Sequence, residues 1–383
     1  MKYIELFSGI GAFTQSLENV NKNTKCVFAA DINVQCAEVY KKNYNIDSLN
    51  DITKVKEEDV PKHDFCFFSP PCQAFSKSGK QLGFTEARGT LIYDVFRIVS
   101  HHKPKYILME NVRNLVSHDD GNTIKVIMKS LKELGYRIPS KPLILSPHFF
   151  GVPQTRERAF LPGVYDPENV SEVLDFKFET FKKKNECSID DIIDNSFNND
   201  ESLMISKKEI KLLNIWDEFY KGIDLNIIGF PIWVDFFKSD INLEELPKWK
   251  SDIISKNITL YNRNKKFIDK WLTKYNNLEN LTATQRKFEW QAGENIDTIW
   301  DGIIQFRPSG IRVKAPTTLP ALVAIVQIPI VGKLKRRLSV RECANLQSFS
   351  KDFICDDNRY QAYKQFGNSI NVKVMEEILK KML

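Results

Sequence analysis

The chain has no run of eighteen apolar residues, which argues against a membrane-spanning helix. It opens MKYIELFSGIGAF and passes straight into a strand pattern, with no apolar stretch leading to a small-residue cleavage site. No secretory leader is therefore expected, and a cytoplasmic location is. Paired cysteines are also missing. Seven cysteines, at 26, 36, 66, 72, 187, 343 and 355, form an odd, widely spaced set without a C-x-x-C, so a disulfide framework and a zinc cluster are both poor readings. Histidine is scarce: among five, only His101 and His102 adjoin, and they read as a solvated helix end. No bound metal is expected. Tryptophan is absent from the first 215 residues, and all six (216, 233, 249, 271, 290, 300) crowd into one later stretch. A large charge excess is lacking too. A net charge of +6 permits a polyanionic partner without demanding one. The run KLKRRLSVR at 333–341 holds five basic residues and no acid, and alone it reads as a solvated surface.

What is present is an alternation of strand-like and helix-like segments over the first 165 residues. Tyr3–Phe7, Cys26–Ala30, Asp64–Phe68 and Tyr106–Met109 are short apolar runs separated by amphipathic stretches. That pattern predicts a parallel sheet with helices on both faces, with chemistry at the carboxyl ends of its strands. Residues 181–203 turn Lys-, Asn- and Asp-rich and read as a linker. The tryptophan-rich stretch beyond it argues for a second domain. The expected organisation is a catalytic and cofactor-binding domain over 1–180, a target-recognition domain with its linker over 185–335, and a segment over 336–383 that returns to the first domain through a helix from about Ile370 to Met382.

Four local patterns carry chemistry. Phe7-Ser8-Gly9-Ile10-Gly11 follows the first strand, and a G-x-G at a strand-to-helix turn lets backbone approach a nucleotide-like ligand. A dinucleotide fingerprint would place a third glycine at Thr14, which lowers the NAD or FAD reading. Asp31, twenty residues after Gly11, ends the second strand, where an acid can accept from ribose hydroxyls or simply cap a helix. Ser69-Pro70-Pro71-Cys72-Gln73 puts a thiol on a proline-stiffened loop at a strand end, beside Lys77 and Lys80. Single cysteines are usually small buried hydrophobes, and in a proline-rich turn an inert cysteine is about as common as a nucleophile. Glu110 ends a further strand facing the same crevice, and a carboxyl there can polarise a pyrimidine ring for thiolate addition. Arg156 and Arg158, at i and i+2, share one side of an extended segment and could hold a phosphate and a base oxygen, or pair with Glu157.

Taken together, these residues resemble the cytosine-C5 DNA methyltransferases of bacterial restriction–modification systems. The match runs through FSGIGAF at 7–13, Asp31-Ile32, Asn50-Asp51-Ile52, SPPCQAFSKSGKQLGF at 69–84, RGTLIYDVFRIV at 88–99, MENVRNL at 109–115, FGVPQTRERAF at 150–160, RRLSVRECANLQSF at 336–349 and QFGNSINVKV at 365–374. The resemblance implies an α/β fold, a Rossmann-like S-adenosylmethionine-dependent methyltransferase sheet with a second, smaller, irregular target-recognition domain. It implies that Cys72 attacks carbon 6 of a flipped cytosine, that Glu110 engages N3 and the amino group, that Arg158 contacts O2 and that Arg156 orders the site. It places Phe7, Gly9, Ile10, Gly11, Asp31, Ile32, Asp51, Ile52, Pro71, Leu91, Asn368 and Ser369 around S-adenosylmethionine. It assigns Gln73, Ser76, Ser78 and Lys80 to a loop that closes on double-stranded DNA. Arg336 and Arg337, in the basic run, are expected on the wall of a DNA cleft. A separately encoded restriction endonuclease is an implied partner, and a monomer is the implied state. The chain departs from the family's usual pattern at Ala12, where glycine is common, and at Ser369-Ile370, where Ala-Val is. Two other readings compete. An RNA-acting relative is disfavoured because no Cys-Phe-Thr segment lies near MENV. A non-catalytic DNA binder is disfavoured because the core catalytic residues are all there. The resemblance leaves the recognised DNA sequence open.

Overall fold

The computed structural model describes residues 1–71, 91–176, 187–224, 229–238, 241–294, 296–323 and 327–383. Cys72, Gln73, Ser76, Ser78 and Lys80 lie outside the described residues. The chain divides into two compact units. One is Met1–Cys187 with Ala321–Ile325 and Cys343–Leu383; the other is Ser188–Pro320 with Val326–Glu342.

In the first unit the apolar runs become central strands. β1 (Lys2–Leu6) leads through α1 (Ala12–Val20) to β2 (Lys25–Ala30), then α2 (Val34–Tyr44), β3 (Phe65–Phe68), α3 (Leu91–His102) and β4 (Tyr106–Val112). These four strands pair in parallel in the order β2-β1-β3-β4. β1, β3 and β4 are buried on both faces over nearly their whole length, as parallel strands between helix layers must be, whereas the edge strand β2 is only partly buried. Phe13 of α1 stacks on Phe67 of β3, ring centroids 4.5 Å apart, and so ties the first helix to the sheet.

Beyond β4 the expectation of a parallel sheet fails. α4 (Asn122–Glu133) is followed by β5 (Tyr136–Arg137), β6 (Leu143–Leu145), β7 (Gln154–Thr155) and β8 (Arg158–Tyr165). β8 runs antiparallel between β4 and β5, with β6 also antiparallel along it. The physical reason is the connection. A parallel partner needs a crossover of a dozen or more residues, usually a helix. Between β5 and β8 the chain holds only short strands and one turn of 3-10 helix, Pro147–Phe150. The last helix, Val372–Met382, is capped by Asn371 and lays Met375, Ile378, Leu379 and Met382 inward. It packs on α1, where the Ser16 hydroxyl donates to the Val372 carbonyl at 3.1 Å and Asn19 donates to Glu376 at 2.6 Å.

The second unit is a six-stranded sheet carrying three helices, Lys207–Gly222, Lys248–Arg263 and Lys265–Lys274. Its tryptophans are mainly core. Trp216, Trp271 and Trp290 are fully buried, and Trp216 stacks on Phe288 at 4.9 Å. Each buried indole N–H finds a backbone carbonyl: Gln285, Ile215 and Gly293 respectively. The polar stretch read as a linker is not bare where it is described. Ile189, Ile192 and Leu203 are buried, and the Asp194 N–H donates to Glu342. Isolated isoleucines among Asn and Asp are enough to anchor such a segment. Among the described residues no helix is long and apolar enough to cross a membrane.

His102 differs from the expected solvated helix end. Its ring meets His63 at 4.8 Å and its Nε2 lies 2.8 Å from the Glu57 carbonyl. His63 is buried, with Nδ1 at 2.8 Å from the Pro61 carbonyl and Nε2 without a partner. Burial lowers its pKa from 6.5 to about 4. The folded chain therefore stays unprotonated there while the unfolded chain takes up a proton below pH 6.5. Stability is full above that pH and falls by about 1.4 kcal/mol per unit on the way down to pH 4. Thermal melts of the wild type and His63→Phe at pH 7 and pH 4.5 test this. The variant is expected to lose less melting temperature on acidification, and equal losses would disprove the assignment.

Candidate active site

A cavity of about 680 Å³ opens in the first unit at the carboxyl ends of β1 to β4. Its lining includes the turn after β1, Asp31 to Asn33 after β2, Ser69 to Pro71 after β3, Glu110 to Val112 at the end of β4, and Gly367 to Ile370.

The turn after β1 has left-handed backbone at Phe7, Gly9 and Gly11. The two glycines do different work. A Cβ on Gly9 would meet nothing within 4 Å, and its N–H donates to Asp31 Oδ2 at 2.8 Å. A Cβ on Gly11 would sit 2.2 Å from the Tyr44 ring, and the Gly11 carbonyl accepts from the Tyr44 hydroxyl at 3.0 Å. Gly11 thus packs against α2, between Ile10 and Ala12, which both line the cavity. Asp31 also accepts from the Asn33 N–H at 2.8 Å. Burial raises its pKa and these two N–H groups oppose the rise. The cap of α2 is Asn33, whose side chain accepts from the Cys36 N–H, so Asp31 is not a helix cap. Asp51, Ile52 and Leu91 line the same cavity, and Ile32 stands exposed at its rim.

One wall residue was not foreseen. Glu5 is an acid inside the apolar strand β1, 1% exposed, accepting from the Thr14 hydroxyl at 2.7 Å and the Tyr40 hydroxyl at 3.0 Å. Burial raises its pKa to about 7 against the pull of those hydroxyls and of the Phe13 and Thr14 backbone. Thr14, which breaks the dinucleotide fingerprint, is here the partner of that acid. The signal was available in KYIEL, where an acid stands between apolar neighbours.

Glu110 is buried at the other side of the cavity. Its Oε2 accepts from the Ser69 hydroxyl at 2.5 Å, and its Oε1 lies 3.3 Å from Arg158 Nε. Burial raises its pKa, opposed in turn by Arg158, Ser69 and Arg156. Asn111 donates to the Pro70 carbonyl at 2.8 Å, and the Ser69 N–H donates to the Leu6 carbonyl at 3.3 Å. The chain entering Pro71 is thereby fastened to both β1 and β4. Ser69 was missed because nothing in its sequence context marks it as a carboxyl partner.

The two arginines separate. Arg158 reaches Glu110, whereas Arg156 is 3% exposed and donates to the carbonyls of Leu322 at 2.6 Å, Gly367 at 2.8 Å and Ser369 at 2.9 Å. Burial lowers its pKa to about 9, and Arg158 adds to that. Arg156 is therefore a positioning residue that holds the loop carrying Asn368 and Ser369, not a phosphate ligand. Glu157 pairs with Arg113 and not with either arginine. In the second unit, Arg336 is completely buried in an ion pair with Glu342 at 2.8 Å, with Asn198 and the Asp194 carbonyl as further acceptors. It is not available to DNA, and its expected place on a cleft wall is corrected. Arg337 is half-buried and paired with Glu209.

The residues present fit S-adenosylmethionine. The cavity size suits a small-molecule site, Asp31 is held by backbone at a strand end, Gly9 leaves open space, and Phe7, Ile32, Ile52 and Leu91 offer apolar walls. The contrast between the glycines is testable. Gly11→Ala combines about 1–2 kcal/mol of left-handed strain with overpacking on Tyr44. It is expected to lower the melting temperature by several degrees. Gly9→Ala carries the left-handed strain without the overpacking, so it is expected to lower the melting temperature less than Gly11→Ala while weakening S-adenosylmethionine binding. Calorimetric titration and thermal melts of both variants check this, and the opposite assignment of effects would refute it.

Comparison with known proteins agrees with this arrangement. The sequence model described as C-5 cytosine-specific DNA methylase matches residues 1–383. The chain is 30% identical to type II methyltransferase M.AluI of Cellulosimicrobium cellulans, covering 99% of this chain and 91% of that protein. It is 29% identical to M.HhaI of Haemophilus parahaemolyticus, covering 99% and 93%. The crystal structure of the S. pombe Dnmt2 methyltransferase is similar in fold, with a TM-score of 0.54 at 18% identity over 99% of this chain and 97% of that one. The mixed sheet of the first unit is accordingly the S-adenosylmethionine-dependent methyltransferase fold, and the chain belongs to the C-5 cytosine-specific DNA methylase family.

Proposed function

We propose that this chain methylates carbon 5 of one cytosine within a specific duplex DNA sequence, through a covalent bond between the Cys72 sulfur and carbon 6 of a flipped base. Membership of the family carries DNA cytosine methylation with S-adenosylmethionine as donor. The observation that carries the finer mechanism is Glu110, a buried carboxyl with a raised pKa, bracketed by Ser69 and Arg158 at the mouth of the cofactor-sized cavity. Cys72 follows Pro71, a lining residue, directly in sequence.

The chemistry divides among these groups. The cytosine must leave the base stack to be reached, at a cost of a few kcal/mol that phosphate contacts offset. Arg158 donates to O2, and Glu110 gives its proton to N3. The Cys72 thiolate forms a bond to carbon 6 as the C5–C6 π electrons shift into the C4–C5 bond and the C4–N3 π electrons pass to N3, which takes that proton. S-adenosylmethionine, when bound, supplies the methyl group that carbon 5 takes up. Loss of the C5 proton to a base then expels the thiolate, and N3 returns its proton to Glu110. Gln73, Ser76, Ser78 and Lys80, which lie outside the described residues, are the proposed DNA contacts of segment 73–80. The relatives bear type II methyltransferase names, so a separately encoded restriction endonuclease that cuts the same sequence is the proposed partner. A monomer in the bacterial cytoplasm is the proposed working form.

Two experiments test the mechanism. Cys72→Ser is expected to abolish methyl transfer while duplex binding survives, and duplex containing 5-fluorocytosine is expected to trap the wild type covalently. Turnover by Cys72→Ser would refute the nucleophile. Ser69→Ala removes a donor that stabilises the charged form of Glu110, so the carboxyl should keep its proton to higher pH. The alkaline limb of kcat/KM is expected to shift upward in that variant. An unchanged limb with a uniformly lowered rate would reduce Ser69 to a structural residue.

A further inference from the structure

We propose that the exposed side of the helix pair Lys248–Arg263 and Lys265–Lys274 in the second unit is a docking surface for the phosphate backbone of duplex DNA. The proposal rests on the reading of the chain as a duplex-DNA methyltransferase and adds a place where that duplex is gripped independently of sequence.

Charge distribution is the first argument. Residues 248–274 hold eight basic side chains, at 248, 250, 256, 263, 265, 266, 270 and 274, and two acids, Asp252 and Asp269. Their net of +6 equals that of the whole chain, so all the other residues together balance to zero. The two carboxylate partners used here take only some of the cations. Lys238 and Lys265 share Asp269, and Lys274 pairs with Glu218. Lys248, Lys250, Lys256, Arg263, Lys266 and Lys270 make no ion pair with a described carboxylate. Lys256 also stands over the Phe230 ring at 5.7 Å, but a cation with no carboxylate partner is the kind whose contact with a phosphate releases counterions and raises affinity.

Helix geometry is the second. Ile254, Asn257, Leu260 and Tyr261 turn inward. The opposite face then carries Lys248, Asp252, Lys256 and Arg263, spaced by whole turns and all exposed. At 1.5 Å per residue the row from Lys248 to Arg263 spans roughly 22 Å, about two-thirds of a duplex turn. The row is presented rigidly. Asn257 is completely buried, donates to the Pro231 carbonyl at 3.0 Å and accepts from the Trp233 N–H at 2.8 Å, which fastens the helix to the edge of the sheet. Finally, Trp249 begins this row at 62% exposure between Lys248 and Lys250, while Trp216, Trp271 and Trp290 of the same unit are buried. An indole left in water among lysines suits contact with the sugars and bases of a nucleic acid.

The test uses the full chain with the exposed cations neutralised together, Lys248→Gln, Lys256→Gln and Arg263→Gln, and a separate Trp249→Ala. Binding of a fluorescent duplex is measured from 50 to 300 mM salt, alongside sequencing of the cytosines methylated in genomic DNA. The triple variant is expected to reduce the slope of log K against log salt by about 2.7, some 0.9 for each lost phosphate contact. The set of methylated sequences should not change, and Trp249→Ala should weaken binding. Should the triple variant fail to fold by circular dichroism, each single variant is expected to cut the slope by about 0.9. A wild-type slope in the variants overturns the docking surface, as it would for a merely solvated row. A changed methylation sequence overturns the backbone assignment in favour of base reading. Failure of the wild type itself to bind or methylate duplex DNA overturns the functional reading as well, and is thereby told apart from failure of the surface alone.

Discussion

A carboxyl group is costly to remove from water, and the end of β4 is arranged around one. Glu110 gains its place from three neighbours that belong to three different elements. Ser69 follows β3, Arg158 opens β8, and Asn111 ties the Pro70 carbonyl beside it. The antiparallel register makes the pairing possible. Val112 faces Arg158 and Glu110 faces Phe160, so Glu110 and Arg158 are diagonal neighbours on one face of the sheet. A slip of one residue would send the guanidinium to the opposite face and leave the acid without its cation. The seven paired residues between β4 and β8 are therefore as much a part of the site as the side chains that line it.

Reading the chain as a sequence succeeded where one residue type has one physical use. The apolar runs of β1, β3 and β4 read as doubly covered strands and are so, and polar residues at their ends line the crevice. It failed where the same residue type has two uses. Gly9 and Gly11 look alike in FSGIG, yet one opens toward the cavity and the other makes room for Tyr44, thirty-three residues away. Thr14 looked like a broken fingerprint and is a hydrogen-bond partner of Glu5. The reversal of β8 was illegible for a different reason. Strand direction depends on the length and form of the preceding connection, and short strands with a single 3-10 turn leave no periodic pattern to read.

Basic residues show the limit most clearly, because charge alone does not say whether water is present. Arg156, Arg336 and Lys248 are all cations in polar stretches, and they meet three different fates. Arg336 is sealed with Glu342, a pair whose desolvation roughly cancels its attraction, so its value lies in fixing geometry more than in stability. Arg156 is sealed without a hydrogen-bonded carboxylate; its two terminal nitrogens donate to three carbonyls, while its buried Nε–H has no partner among the described residues. That arrangement is the more expensive one, as the downward pull on its pKa records. What offsets the cost is position: two of those carbonyls, of Gly367 and Ser369, belong to residues that line the cavity, and the guanidinium ties them to the stretch at Leu322. Lys248 stays in water, and only there can a cation exchange its counterions for a phosphate. The run at 333–341 is the densest basic stretch singled out in the sequence, yet Arg336 in it is spent on internal architecture. Lys333 and Lys335 of that run stay exposed, and further exposed cations lie on helices whose composition, read as a list, looks like an ordinary solvated face.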